Sequence, residues 1–189
     1  MTQPFVPPSY GLARDVMWAT ADLCDALRGV LDAGLRILPD GFHAFGGRPW
    51  YFGEVALAVV PQSNGAMSLA DILGTPGQGR VLIAEGRGNA QHAILGDRMA
   101  ALAVQNGWAG VIVHGYVRDT KDLIRMPVGI HALGTRPNRA EEMPPAEIAS
   151  HVEIGGITVR AGDWVYADGD GIILLARRHT EFQLGSPGA

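Results

Sequence analysis

Residues 94–123, ILGDRMAALAVQNGWAGVIVHGYVRDTKDL, decide how this chain is read. A helix is predicted to start just after Asp97, with Asp97 as its N-cap following Gly96. Met99, Leu102, Ala103 and the later Trp108 supply its apolar side, and Gly107 supplies the stop. Val111-Ile112-Val113 reads as a short buried strand, and Gly115 opens a loop carrying Arg118 and Asp119. Upstream, Val81–Ala84 is a second short apolar run, bounded by a glycine at 86. Strand, helix and strand in that order form a βαβ unit, so the two strands run parallel.

Parallel strands put their carboxyl ends on one edge of the sheet. Asp97 opens the crossover helix near that edge, and Arg118-Asp119 leaves the second strand at the same edge. A carboxylate, a guanidinium and a second carboxylate thus converge from two loops, where open α/β sheets bind ligands.

The 189 residues fit one compact α/β domain with a sizeable core. We place it at residues 10–176, after an extended proline-rich arm at 1–9 and before a polar flexible tail at 177–189. Hydrophobic residues make up 47% and charged residues 18%, the balance of a globular chain. A net charge of -4, with no basic block, gives no reason to expect nucleic acid. The longest apolar run, Val55–Val60, is far too short to span a membrane. No signal peptide is evident, and Cys24 is the sole cysteine, so a cytoplasmic location is expected. Cys24 reads as a packing residue.

Two short helices are expected over 10–28, meeting at Thr20, which caps the second; Asp22 and Asp25 on it face solvent. A loop rich in glycine and aromatics leads into a central strand at 51–60. Ser68 and Asp71 have capping-box spacing at the start of a short helix. After Asp119 come a short helix, TKDLIRM, stopped by Pro127, and a strand at 128–133. A polar loop precedes an all-β C-terminal part with a hairpin at Gly169-Asp170.

Arg118-Asp119 alone could be a surface ion pair. Asp97 at matching depth and the glycine-rich loop 86–96 shift the balance towards a site. The N–H groups of Arg98, Met99 and Ala100 begin a helix and could receive a substrate carboxylate, clamped by Arg118. Asp119 beside an anionic substrate calls for a cation, and Mg²⁺ is satisfied by one or two carboxylates plus waters and ligand oxygens. Asp97 could hold one of those waters. Six histidines at unsuitable spacing and one cysteine disfavour zinc. His114 reads as a satisfied, partly buried histidine, and His92 as uncommitted. Glu85-Gly86-Arg87-Gly88 is a weak match to a nucleotide or adenosylmethionine loop, since the helix does not open on the glycines. Its glycines read as room for the backbone beside the pocket. The turns near Ser63 and Ser68 lack a hydrolase elbow.

The segments TADLCDAL (20–27), FGGR (45–48), LGD (95–97), AVQNGWAGVIVHGYVRD (103–119), GIHALGT (129–135) and GGITVRAGDWVYADGDGIILL (155–175) resemble one family. It contains regulator of ribonuclease E activity A and 4-hydroxy-4-methyl-2-oxoglutarate aldolase. The aldolase branch is marked by Asp, twenty residues, Arg-Asp, two residues, then Asp or Glu. Asp97, Arg118, Asp119 and Asp122 complete that pattern here.

The resemblance implies a swivelling β/β/α-type fold and a class II pyruvate aldolase dependent on Mg²⁺ or Mn²⁺. It would cleave 4-hydroxy-4-methyl-2-oxoglutarate (or 4-carboxy-4-hydroxy-2-oxoadipate) and decarboxylate oxaloacetate, both through a pyruvate enolate. It further implies Asp119 as metal ligand and Arg118 as the group binding pyruvyl and enolate. Asp97 would order metal-bound water, and the backbone around Gly96 and 98–100 would bind the carboxylate. Asp122 would support the loop. Lys121 is the only lysine, exposed by pattern, which argues against a Schiff-base aldolase. A homotrimer or dimer of trimers is implied. Longer members supply an acidic residue from a C-terminal extension of the neighbouring subunit; Glu141 or Glu142 could substitute here, and the base stays unassigned. The competing reading is a non-enzymatic regulator that binds a ribonuclease, although retention of Asp119 favours the enzyme. A third reading, a quinone-pathway methyltransferase, rests only on the glycine loop.

Overall fold

In the computed structural model, residues 19–30, 34–60, 65, 67–142 and 144–179 are described. The arm at 1–9, the first helix expected before Thr20, the Ser63 turn and residues 180–189 of the tail lie outside them. At the centre are parallel strands β3 (Tyr51–Val59), β5 (Val81–Glu85), β6 (Gly110–Val117) and β7 (Gly129–Thr135). Every residue of β5 is buried, as expected of a strand covered on both faces.

Antiparallel strands extend this core. β11 (Trp164–Ala167), β12 (Ile172–Leu175) and β1 (Arg36–Ile37) follow outward from β3, and β2 (His43–Ala44) lies beyond β7. β4 (Met67–Ser68) pairs with β8 (Pro145–Ile148), which also pairs with β3. A separate hairpin joins β9 (His151–Ile154) to β10 (Ile157–Arg160).

The side-chain period of two divides the core into layers. Leu82, Ala84, Val111 and Val113 point to one face, against helices α2 (Leu69–Leu73), α3 (Asp97–Gln105) and α4 (Thr120–Leu123). Val81, Ile83 and Ile112 point to the other, against Val152, Ile154 and Val159 of the hairpin. Helices, sheet and hairpin form the expected β/β/α stack in a single mixed α/β domain. Each buried Val, Leu or Ile contributes about 1.5–3 kcal/mol.

The expected capping box at Ser68 is present: its hydroxyl accepts from Asp71 N–H while the Asp71 carboxylate accepts from Ser68 N–H. Thr20 behaves differently from expectation. It is the first residue of α1 (Thr20–Ala26), and its N–H and hydroxyl both donate to the Asp168 carboxylate, at 2.7 Å each. The cap is therefore supplied by a residue 148 positions away, invisible to local sequence rules. Asp25 forms an exposed ion pair with Arg28. Cys24 is partly buried against the α1 cluster, and desolvation raises its thiol pKa, in keeping with a packing role. Of the tail, His179 N–H donates to the Tyr166 hydroxyl and Arg178 lies over Phe52 and Trp164.

Three differences concern the organising stretch. Gly96, not Asp97, is the N-cap of α3, so Asp97 already has helical geometry. β6 does not stop at Val113 but runs through a register shift to Val117, which brings Arg118 directly off its end. α4 spans only Thr120–Leu123, shorter than the expected TKDLIRM.

Candidate active site

The segment Ala93–Leu95 continues the sheet where β5 ends. Ile94 N–H donates to Tyr116 O, and Arg118 N–H donates to Leu95 O at 3.0 Å. On its other side, Ala93 N–H donates to Asn138 O, forming a bridge with Arg139. Gly96 and Asp97 are thereby held against Arg118 and Asp119.

Asp119 has φ 60° and ψ 36°, a left-handed conformation unusual for a residue other than glycine. Such backbones cost on the order of 1 kcal/mol or more and are maintained by their surroundings. Here the Asp119 carbonyl accepts from Asp122 and Leu123 N–H, at 2.9 and 3.0 Å, which starts α4. The reversal brings the Asp119 side chain back over Gly96. Its Oδ2 lies 3.2 Å from Arg118 Nε and accepts from Asp97 N–H at 3.2 Å. Gly96 is required by this proximity. A Cβ at 96 would lie 2.6 Å from Asp119 Oδ2 and 3.1 Å from Arg118 Nε.

These residues line one cavity of about 550 Å³, with Asp97, Arg98, Met99, Arg118 and Asp119 in its wall. The structure thus brings together the sequence-predicted carboxylates and guanidinium. Asp122 is exposed and does not line the cavity; its link to the site is its N–H bond to Asp119 O.

The expected anion cradle at residues 98–100 is narrower than predicted. Arg98 N–H donates to the carboxylate of its neighbour Asp97 at 2.7 Å, and Ala100 N–H donates to Gly96 O at 3.0 Å. Among the described residues, only the Met99 N–H of those three is left without an acceptor.

In the glycine-rich loop, Gly86 gives the backbone room as expected: its N–H donates to His114 O, and a Cβ there would lie 2.8 Å from that oxygen. A Cβ on Gly86 would overlap Ile94 Cδ1, and one on Gly115 would come within 2.6 Å of it. Ile94, which itself lines the cavity, packs against both glycines. His114 is satisfied, as expected, with Nδ1 2.8 Å from Glu85 Oε2. Neither it nor His92 lines the cavity.

Of the strap that closes the far wall, sequence reasoning named Glu141 or Glu142 and missed the rest. Arg139, Ala140, Glu142 and Pro144 all line the cavity, whereas Glu141 does not. Nothing local marks Arg139 in that polar loop; pairing of the strap with the 90–93 segment brings it to the site.

The donor set discriminates between metals. Among the described residues, no group of three or more His, Cys, Asp or Glu could hold an ion. Zinc sites use three or four such ligands. Mg²⁺ keeps several waters and needs one or two carboxylates; Asp119 could be that carboxylate, with Asp97 placed to hold a water. Asp119 Oδ1 makes no hydrogen bond among the described residues.

A family model described as "RraA-like: Aldolase/RraA" matches residues 20–174, spanning the sheet and the entire cavity edge carried by β5, α3 and β6. The chain belongs to the RraA-like family. A relative from Laribacter hongkongensis, provisionally named 4-hydroxy-4-methyl-2-oxoglutarate aldolase, is 41% identical over 154 residues, 82% of this chain and 93% of its own. Among solved structures, the RNA-processing inhibitor RraA from Thermus thermophilis matches with a TM-score of 0.77 at 33% identity, covering 89% of this chain and 98% of that one. A Geobacillus kaustophilus chain described as an S-adenosylmethionine: 2-dimethylmenaquinone methyltransferase matches with a TM-score of 0.75 at 33% identity, covering 90% of this chain and 100% of that one. In this RraA-like chain, no helix among the described residues is long and apolar enough to cross a membrane.

Proposed function

We propose that this chain is a divalent-metal-dependent pyruvate aldolase. It cleaves 4-hydroxy-4-methyl-2-oxoglutarate, or the related 4-carboxy-4-hydroxy-2-oxoadipate, and decarboxylates oxaloacetate as a side activity. The observation that carries the reading is the meeting of Asp119 Oδ2 with Arg118 Nε and Asp97 N–H at the wall of one cavity. The names of its relatives supply the substrate class.

Asp119, with Asp97 ordering water, would hold Mg²⁺ or Mn²⁺, whose contribution is Lewis-acid polarisation of the substrate's 2-keto group. Arg118 binds the pyruvyl end. Its guanidinium is held by Asp119 and meets the negative charge that grows on the keto oxygen as the C3–C4 bond breaks. A fixed cation at that position stabilises the transition state more than the ground state. The Met99 N–H is the remaining backbone donor for the substrate carboxylate. The proton leaving the 4-hydroxyl needs an acceptor, and Glu142 is the third carboxylate lining the cavity. A ring-like trimer belongs to the same reading.

The test is pyruvate release from both compounds, with Mg²⁺ and after chelation. Turnover should require the metal, and Arg118→Ala should lower kcat by about 10²–10³. The similarity to an RNA-processing inhibitor supports a second reading, a ribonuclease-binding regulator. A folded protein inert on both substrates that slows ribonuclease cleavage would favour it.

A further inference from the structure

We infer that Arg139 is the specificity residue of this cavity, binding the carboxylate remote from the keto group and selecting dicarboxylic 2-oxo acids. The inference rests on the aldolase reading for the position of the keto end, but its own evidence is the charge and placement of Arg139.

Three arginines, Arg98, Arg118 and Arg139, line the cavity against three carboxylates, Asp97, Asp119 and Glu142. The lining is therefore neutral by formal charge. The proposed divalent ion would make it doubly positive, which a substrate with two carboxylates neutralises and one with a single carboxylate does not. The arginines differ in their engagement. Arg118 is paired with Asp119, whereas Arg98 and Arg139 have no ion pair among the described residues. Arg98 lies in the first turn of α3 beside Asp97, at the end of the cavity that Arg118 and Asp119 hold. Arg139 stands on the strap, across Ala93–Leu95 from the end of β6 that carries Arg118.

Its backbone is well anchored for an exposed residue. Besides the Ala93 bridge, Asn138 Nδ2 donates to Gln91 O at 2.9 Å, Arg136 Nε donates to Ala90 O, and Arg136 lies over the Tyr116 ring at 5.0 Å. Ala93–Leu95 separates the Arg139 strap from the end of β6. Two strand spacings and a two-residue offset put the Arg139 and Val117 backbones about 12 Å apart. Long side chains entering from opposite walls can therefore hold the two ends of one short substrate. Arg118 takes the keto-acid end and Arg139 the far carboxylate, for which a planar guanidinium is suited.

Binding is measured by calorimetry in Mg²⁺ with 2-oxoglutarate and with 2-oxopentanoate, which has the same carbon count and no remote carboxylate. Arg139→Ala should weaken 2-oxoglutarate about 10- to 100-fold, the range for a hydrogen bond to a charged group. It should leave 2-oxopentanoate unchanged, and Arg139→Lys should restore part of the loss. In turnover, KM for 4-hydroxy-4-methyl-2-oxoglutarate should rise more than kcat falls, while 4-hydroxy-2-oxopentanoate is unaffected. Equal loss on both ligands, or a selective loss with Arg98→Ala in place of Arg139→Ala, would overturn the assignment. If the wild type turns over neither substrate, the aldolase reading fails, and the calorimetric comparison still decides the role of Arg139.

Discussion

Gly96→Ala tests whether the site is as tightly built as its distances indicate. Gly96 has φ -138° and ψ -169°, extended geometry that alanine adopts freely, so the backbone gives no objection. The added methyl group does. It would lie 2.6 Å from Asp119 Oδ2, against an ordinary contact of 3.4 Å or more, and 3.2 Å from Arg118 Cγ. The carboxylate must retreat by about 0.8 Å, which also breaks its 3.2 Å bond from Asp97 N–H. A displacement near 1 Å at reacting groups costs about 100-fold in rate, or about 2.7 kcal/mol of transition-state stabilisation.

The effect on stability should be small. The Arg118 and Asp119 side chains are about 30% exposed, so the weakened pair contributes well under 1 kcal/mol after solvent screening. Replacing glycine also restricts the unfolded chain, worth about 0.4–1 kcal/mol in the opposite sense. The assay is kcat/KM for pyruvate release from 4-hydroxy-4-methyl-2-oxoglutarate, with Tm measured on the same preparation. We expect roughly 100-fold loss with Tm within about 3 °C. Wild-type activity in Gly96→Ala would show that Asp119 and Arg118 need not sit where the structure puts them. A loss explained entirely by unfolding would refute the reasoning as well.

Three further predictions concern the frame around the site. His131 Nε2 lies 3.0 Å from the Asp168 carbonyl, so it donates there, and Nδ1 accepts from the buried Tyr51 hydroxyl at 2.8 Å. Burial outweighs Asp168 and lowers the His131 pKa below 6.5. The unfolded chain therefore binds the extra proton first. Stability should be full above pH 6.5 and decline as pH falls from there through the lowered value, a slope in the urea midpoint that His131→Gln reduces. An unchanged slope in that variant would contradict this. Gly129→Ala places a Cβ inside the Tyr51 ring and should destabilise by about 3 kcal/mol or more in chemical denaturation; a loss under about 1 kcal/mol would show that Tyr51 repacks. Asp168→Ala removes the remote cap of α1 and should cost about 1–2 kcal/mol, lowering Tm by several degrees, whereas Asp25→Ala, in an exposed ion pair, should leave Tm nearly unchanged.

The βαβ unit was legible because its signals are local: apolar runs of strand length, a helix bounded by Gly96 and Gly107, and the edge rule for parallel strands. From these alone, Asp97, Arg118 and Asp119 could be brought to one edge. The left-handed turn at Asp119 was not legible: aspartate enters that region more readily than most residues, but only a small share of aspartates do, and that turn is what swings the carboxylate over Gly96. Remote partners were equally hidden. Thr20 looked like a cap by local rules, yet its hydroxyl is used to bind Asp168. Gly86 read as room for the backbone, but nothing in the sequence showed that Ile94 packs against it. Glu142 was a candidate beside Glu141, but that it and Arg139 reach the cavity follows from pairing of the strap with the 90–93 segment across a long sequence separation. Such pairings depend on the register of the finished sheet, which periodicity within one segment does not encode.

Whether Asp119 holds a divalent ion beside Arg118 can be read most directly from Mn²⁺ binding, followed by the electron paramagnetic resonance signal of the free ion in chelator-stripped protein. The account predicts saturable binding at a single site per chain, lost in Asp119→Asn and retained in Asp122→Asn. Binding unchanged by Asp119→Asn, or none in the wild type with pyruvate present, would contradict it.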